Sequence, residues 1–111
     1  MNLSGFRIGP SLFLGLAITL LPGVSVHADD AGSVYKAKCV ACHGADGSGT
    51  AVGTKLGAHD LRSADVQKMS DAQLTEIITN GKNKMPAYGK SMKPDGVKGL
   101  VAYIRTLAAK T

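Results

Sequence analysis

Cys39-Val40-Ala41-Cys42-His43 is the stretch whose reading decides the fold of this chain. Two thiols about one helical turn apart can each add to a vinyl group on one edge of a porphyrin, forming two thioethers. The imidazole of the next residue then lies under the iron and can bind it. Read in this way, the segment is a covalent clamp for haem with its own axial ligand, and iron held so is a redox centre.

The same cysteine spacing also serves redox dithiols and zinc sites. A thioredoxin-like dithiol expects a surrounding βαβ pattern, and no alternating β-branched run lies near Cys39. A structural zinc site needs four ligands, usually with a second spaced pair. Beyond Cys42 there is no further cysteine, and His43 and His59 are the only histidines that follow. A histidine directly after the second cysteine favours haem attachment through Cys39, Cys42 and His43.

The chain has 111 residues and begins like an export signal. Arg7 supplies a positive start, residues 8–21 are mostly apolar, Pro22 and Gly23 break the run, and Val26-His27-Ala28 offers a small-residue cleavage site. The apolar run is short for a membrane-spanning helix. Residues 1–28 therefore read as a signal peptide and residues 29–111 as one domain, periplasmic or otherwise exported, with no membrane span after cleavage. An uncleaved anchor is the rival reading. No cysteine stands just before Asp29 to carry a lipid.

A domain this small buries little apolar surface unaided. Its aromatics are Tyr35, Tyr88 and Tyr103, with no tryptophan or phenylalanine after residue 28. A porphyrin at the centre would supply the missing volume. Outside the cytoplasm two free thiols would tend to oxidise, and thioether formation would use both. Without residues 1–28, 12 basic and 8 acidic residues remain. Lys82, Lys84, Lys90 and Lys93 bracket one loop and suit redox partners with acidic docking surfaces, acting mainly on encounter rate. Nucleic-acid binding is unsupported, since there is no dense basic run with interleaved aromatics. The domain reads as a monomer.

The pattern is all-α. Asp29 or Asp30 is placed to cap a first helix over 31–42, ended by Gly44. Residues 44–62 read as a glycine-rich loop. It is not a phosphate cradle, because no G-K-[ST] follows and Gly47, Gly49 and Gly53 miss the dinucleotide spacing by one residue. A short turn covers 64–68. Ser70 and Gln73 form a capping-box pattern before a helix over 71–80 with Leu74, Ile77 and Ile78 inward, stopped by Gly81. After a second loop over 81–92, Pro94 opens a last helix striped with Val97, Leu100, Val101, Ile104, Leu107 and Ala108.

The second axial ligand decides between electron transfer and chemistry at the iron. Met69, Met85, Met92, His59 and the lysines are the candidates. Met85 stands in a loop far from His43 in sequence, stiffened by Pro86 directly after it. A stiff loop holds a thioether in place at small ordering cost. Met69 and Met92 read as core filler. His/Met ligation raises the reduction potential over bis-histidine and leaves no open site.

With these residues the chain resembles a class I cytochrome c of the short bacterial and algal monohaem type. The likeness rests on Cys39-Val40-Ala41-Cys42-His43-Gly44, on Met85-Pro86-Ala87-Tyr88 and on the terminal helices, and covers nearly all of 29–110. It implies a small fold of three to five helices around one haem c. Cys39 and Cys42 would carry the thioethers, with His43 and Met85 as iron ligands. It also implies that the first and last helices cross, with Gly32 and Tyr35 against Leu100 and Tyr103 and the tyrosines edge to face. Two departures stand out: residues 44–57 lack the proline many members carry near the acceptor of the ligand histidine's Nδ1–H, and there is no tryptophan to meet a propionate. Tyr88, Arg62 and Lys55 are candidates for that contact, each with a packing or surface role as the alternative.

The reading is an exported one-electron carrier rather than an enzyme. An open-iron enzyme or gas sensor requires that Met85 not bind. A domain specialised to one multisubunit complex is the third possibility.

Overall fold

The computed structural model describes residues 9, 15–19 and 28–108. The expected signal segment therefore lies largely outside the described residues, as does Lys110. Six helical segments follow in order: α1 (Ala28–Lys38), α2 (Val40–His43), α3 (Ala51–Lys55), α4 (Ala64–Gln67), α5 (Asp71–Asn80) and α6 (Pro94–Ala108). Among the described residues there is no strand, only an isolated bridge between Lys82 and Met85. The fold is all-α, with three longer helices and three one-turn pieces.

The short pieces account for the differences from the sequence reading. The single helix expected over 31–42 is divided at Cys39, where φ widens to −115° at ψ of −30°. The glycine-rich loop contains α3, because Thr50 caps it by accepting from Gly53 N–H. Helix α1 runs from Ala28, which places Asp29 and Asp30 within its first turn and not before it.

The capping box and the glycine stop read for α5 act as expected, and α4 has a cap the sequence reading did not name. Ser63 accepts from Val66 N–H at the start of α4. Ser70 and Gln73 exchange both bonds of a capping box at α5, and Gly81 ends that helix with φ of 76°. Such a cap is worth about 1 kcal/mol.

The core lies where α1, α5 and α6 meet. Val97, Leu100, Val101, Ile104 and Leu107 bury the stripe of α6 against Tyr35 of α1, Leu74 and Ile78 of α5, and Leu61 and Val66. The rings of Tyr35 and Tyr103 stand 4.9 Å apart and tilted by 44°, so the α1–α6 crossing is as expected but the rings are not edge to face. A methyl added at Gly32 would just touch Tyr103, at 3.4 Å, so the crossing does not demand glycine there.

Arg105 ties α6 to the α4–α5 junction. Its guanidinium donates to the carbonyls of Gln67 at 3.0 Å and Met69 at 2.5 Å, and to Asp71 at 2.8 Å. Gln67 in turn donates to the carbonyls of Leu61 and Ile104. Neither residue stood out in the sequence, although Arg105 flanks the apolar stripe one turn after Val101.

Candidate haem-binding site

The C-x-x-C-H segment follows α1 directly and runs through α2. The Cys39 carbonyl accepts from His43 N–H at 2.9 Å and from Cys42 N–H at 3.3 Å, so one turn carries both thiols and the imidazole. Cys39 and Cys42 are unpaired and half-buried. Burial raises the pKa of the Cys39 thiol, with Lys38 opposing.

The end of α2 would leave its carbonyls without partners. Gly49 N–H donates to His43 O at 2.7 Å, Thr50 N–H to Cys42 O at 3.1 Å, and the Thr50 hydroxyl to Ala41 O at 2.7 Å. The same hydroxyl accepts from Gly53 N–H at 3.0 Å. Thr50 thus closes one helix and opens the next. Gly53 presses directly on the turn, since a Cβ there would fall 1.8 Å from the Cys42 carbonyl oxygen. From the other side, the buried Tyr35 phenol donates to Gly44 O at 2.7 Å.

His43 is half-buried, and its Nδ1 is a buried atom with no hydrogen-bond partner among the described residues. Burial pushes its pKa below the ordinary histidine value, while the backbone of His59 partly offsets this. That backbone lies beside the imidazole yet outside hydrogen-bond geometry with Nδ1. With Nδ1 enclosed, Nε2 is left as the nitrogen a metal would approach. The side chain of His59 is exposed.

The Met85 segment is folded back toward this turn. Tyr88 Oη donates to Lys38 O at 3.2 Å, fifty residues away and adjacent to Cys39. Burial raises the pKa of Tyr88, and the nearby Cys39 and Cys42 thiols add to the rise. Cys39, Met85 and Tyr88 all pack on the central cluster. Met69 and Met92 are half-buried on the same cluster, so burial alone does not single out one methionine.

Arg62 is engaged elsewhere. It donates to both carboxylate oxygens of Asp60, at 3.1 and 3.0 Å, and stands 3.6 Å from Asp46. This pins the loop before α4. Lys55, Lys82, Lys84, Lys90 and Lys93 are exposed.

Residues 27–104 match the family model described as cytochrome c oxidase, cbb3-type, subunit III. The chain therefore belongs to the c-type cytochromes, as a small class I monohaem member. It is 33% identical to cytochrome c6 of Gloeothece citriformis, over 94% of this chain and 96% of that one. It is also 33% identical to the cbb3-type cytochrome c oxidase subunit FixP of Azorhizobium caulinodans, over 78% of this chain but only 29% of that protein. Among solved structures, the KustC0563 c-type cytochrome aligns with a TM-score of 0.66 and 34% identity, covering 69% of this chain and 95% of that one. The c-type cytochrome XoxG of Methylobacterium extorquens AM1 aligns at 0.60 and 28%, covering 74% and 50%.

The family carries a covalently bound haem c, and the residues present suit it. Two unpaired thiols share one helical turn, and the histidine beside them has its Nδ1 enclosed. A thioether stands on a loop tied to the same turn. Among the described residues no helix is long and apolar enough to cross a membrane.

Proposed function

We propose that this protein is an exported one-electron carrier whose haem is held by Cys39 and Cys42 and ligated by His43 and Met85. When bound, that group supplies an iron that cycles between two oxidation states. The chain's part is to fix both ligands so that gain or loss of an electron needs little rearrangement. Thr50, Gly53 and Tyr35 clamp the turn bearing His43. The His59 carbonyl is the candidate acceptor for Nδ1–H, a bond that would set ring orientation and basicity. The thioether of Met85 favours Fe(II) and raises the potential.

The observation that carries this reading is the Tyr88–Lys38 hydrogen bond, which ties the Met85 loop to the residue before Cys39. Two ligands, one from α2 and one from the 81–92 loop, would exclude substrates, which favours a carrier over an enzyme. Exposed Lys82, Lys84, Lys90 and Lys93, which bracket the loop bearing Met85 in sequence, suit acidic docking surfaces on redox partners. Residues 1–28 direct export and are removed, and the mature domain acts as a monomer.

The oxidised holoprotein should show a sulfur-to-iron charge-transfer band that Met85→Ala abolishes, with a lower potential, while Met69→Ala and Met92→Ala keep it. Rapid CO binding to the reduced wild type, or loss of the band in Met92→Ala instead, would overturn the assignment. Mature mass after secretion, with and without haem, tests cleavage after Ala28.

A second reading, a domain that serves one oxidase complex, is favoured by the subunit III family match and the FixP likeness. Co-purification with a terminal oxidase under mild extraction, against free recovery in the soluble exported fraction, separates the two.

A further inference from the structure

The segment bearing Met85 closes on itself. Met85 N–H donates to Lys82 O at 2.9 Å and Lys82 N–H donates to Met85 O at 3.2 Å, leaving Asn83 and Lys84 as a two-residue turn. Asn83 has φ of 53°, the one positive φ outside glycine among the described residues. A positive φ at the first central position belongs to the primed two-residue turns, where glycine, asparagine and aspartate dominate. Asparagine tolerates that region, whereas a β-branched residue is an outlier there.

The ends of the segment are anchored to α5. Gly81 N–H donates to Ile77 O at 2.8 Å, Tyr88 N–H to Ile78 O at 3.0 Å, and Gly89 N–H to Thr79 O at 2.9 Å. A Cβ at Gly81 would fall 2.7 Å from Met85 O, so the chain passes too close there to yield. With both ends fixed, the conformation of the turn sets where the Met85 thioether stands. Asn83 is exposed, and among the described residues no hydrogen bond holds its side chain. What the position contributes is therefore backbone conformation.

We propose that Asn83 is a positioning residue for Met85: its left-handed backbone holds the two-residue turn that presents the thioether to the iron. The proposal rests on Met85 being the ligand. It requires that a residue intolerant of positive φ at 83 favour the open loop. A competing ligand then meets a larger fraction of open molecules, and its apparent affinity rises by that ratio.

The test is titration of the oxidised holoprotein with imidazole, read by loss of the charge-transfer band, together with hydrogen exchange at the Met85 amide. Asn83→Val should raise the apparent imidazole affinity and the exchange rate by roughly 5- to 30-fold. Asn83→Gly and Lys84→Val, the latter at a negative φ in the same turn, should stay within about twofold of wild type. Should Asn83→Val not mature, Asn83→Ala carries the same test with a smaller rise. Wild-type behaviour of Asn83→Val or Asn83→Ala, with Met85→Ala opening the site, overturns the proposal and spares the ligand assignment. Behaviour of Asn83→Gly like Asn83→Val also overturns it, because the side chain would then be what matters. An unchanged band in Met85→Ala overturns the ligand assignment itself and the role of Asn83 with it.

Discussion

The phenol of Tyr35 donates a 2.7 Å hydrogen bond to the carbonyl of Gly44, joining the middle of α1 to the residue directly after His43. Both residues are buried, so neither partner can turn to water. Tyr35→Phe keeps the ring contact with Tyr103 and strands the carbonyl. The expected cost is about 1–3 kcal/mol in denaturant unfolding of the holoprotein.

Tyr35 also predicts an alkaline limit. Burial raises its pKa above the ordinary tyrosine value. Above about pH 10 the unfolded chain releases this proton while the folded one keeps it. The contribution is therefore full below that pH and is lost as pH rises, with a slope of up to about 1.4 kcal/mol per pH unit. Unfolding free energies from pH 8 to 11 should fall more steeply in wild type than in Tyr35→Phe.

The Thr50 hydroxyl donates to Ala41 O and, at 3.3 Å, to Cys42 O, and it accepts from Gly53 N–H. Thr50→Val preserves shape and removes all three. A loss of about 1–2 kcal/mol is expected by thermal unfolding. The yield of covalently attached haem should also drop, because the turn bearing Cys42 loses its support.

Two glycines should respond in opposite ways to alanine. At Gly53 the new methyl meets the backbone of Cys42 at 1.8 Å, and α3 must move away from the haem-motif turn. Gly53→Ala should cost upwards of about 3 kcal/mol or prevent maturation. At Gly32 the nearest atom is Tyr103 Cε2 at 3.4 Å, and Gly32→Ala should be neutral or stabilise by about 0.5–1 kcal/mol. Melting of the two holoproteins side by side checks both signs.

Arg105 satisfies two carbonyls as well as an exposed carboxylate. Most of its contribution should therefore survive high salt, since the carbonyl bonds are geometric and the Asp71 pair is solvent-screened. Arg105→Ala should cost about 1–3 kcal/mol, and Arg105→Lys should recover little, because one ammonium cannot span the fork. Urea unfolding at low and high salt measures this.

Much of the site was legible from residue order alone, for definable reasons. C-x-x-C-H is a local device, because thioether chemistry fixes its spacing within one turn. The capping box at Ser70 and Gln73, the stop at Gly81 and the stripe of α6 are local as well, and the structure repeats each of them. Helix α3 was missed because its cap, Thr50, acts from inside a segment whose glycines signal loop. The break at Cys39 was missed because nothing in Lys38-Cys39-Val40 disfavours helix; it exists where the chain bends into the motif turn.

The sequence by itself determined the all-α class, the cofactor motif and the short list of axial candidates, because each depends on neighbours a few positions apart. The tertiary structure alone decided which distant groups support them. It set Tyr88 against Lys38, Gly49 and Thr50 against the end of α2, Arg105 against the α4–α5 junction, and Asn83 in a left-handed turn. Those pairings carry no sequence signature. A backbone carbonyl is the same in every residue, and which donor reaches it is settled only when the helices have packed.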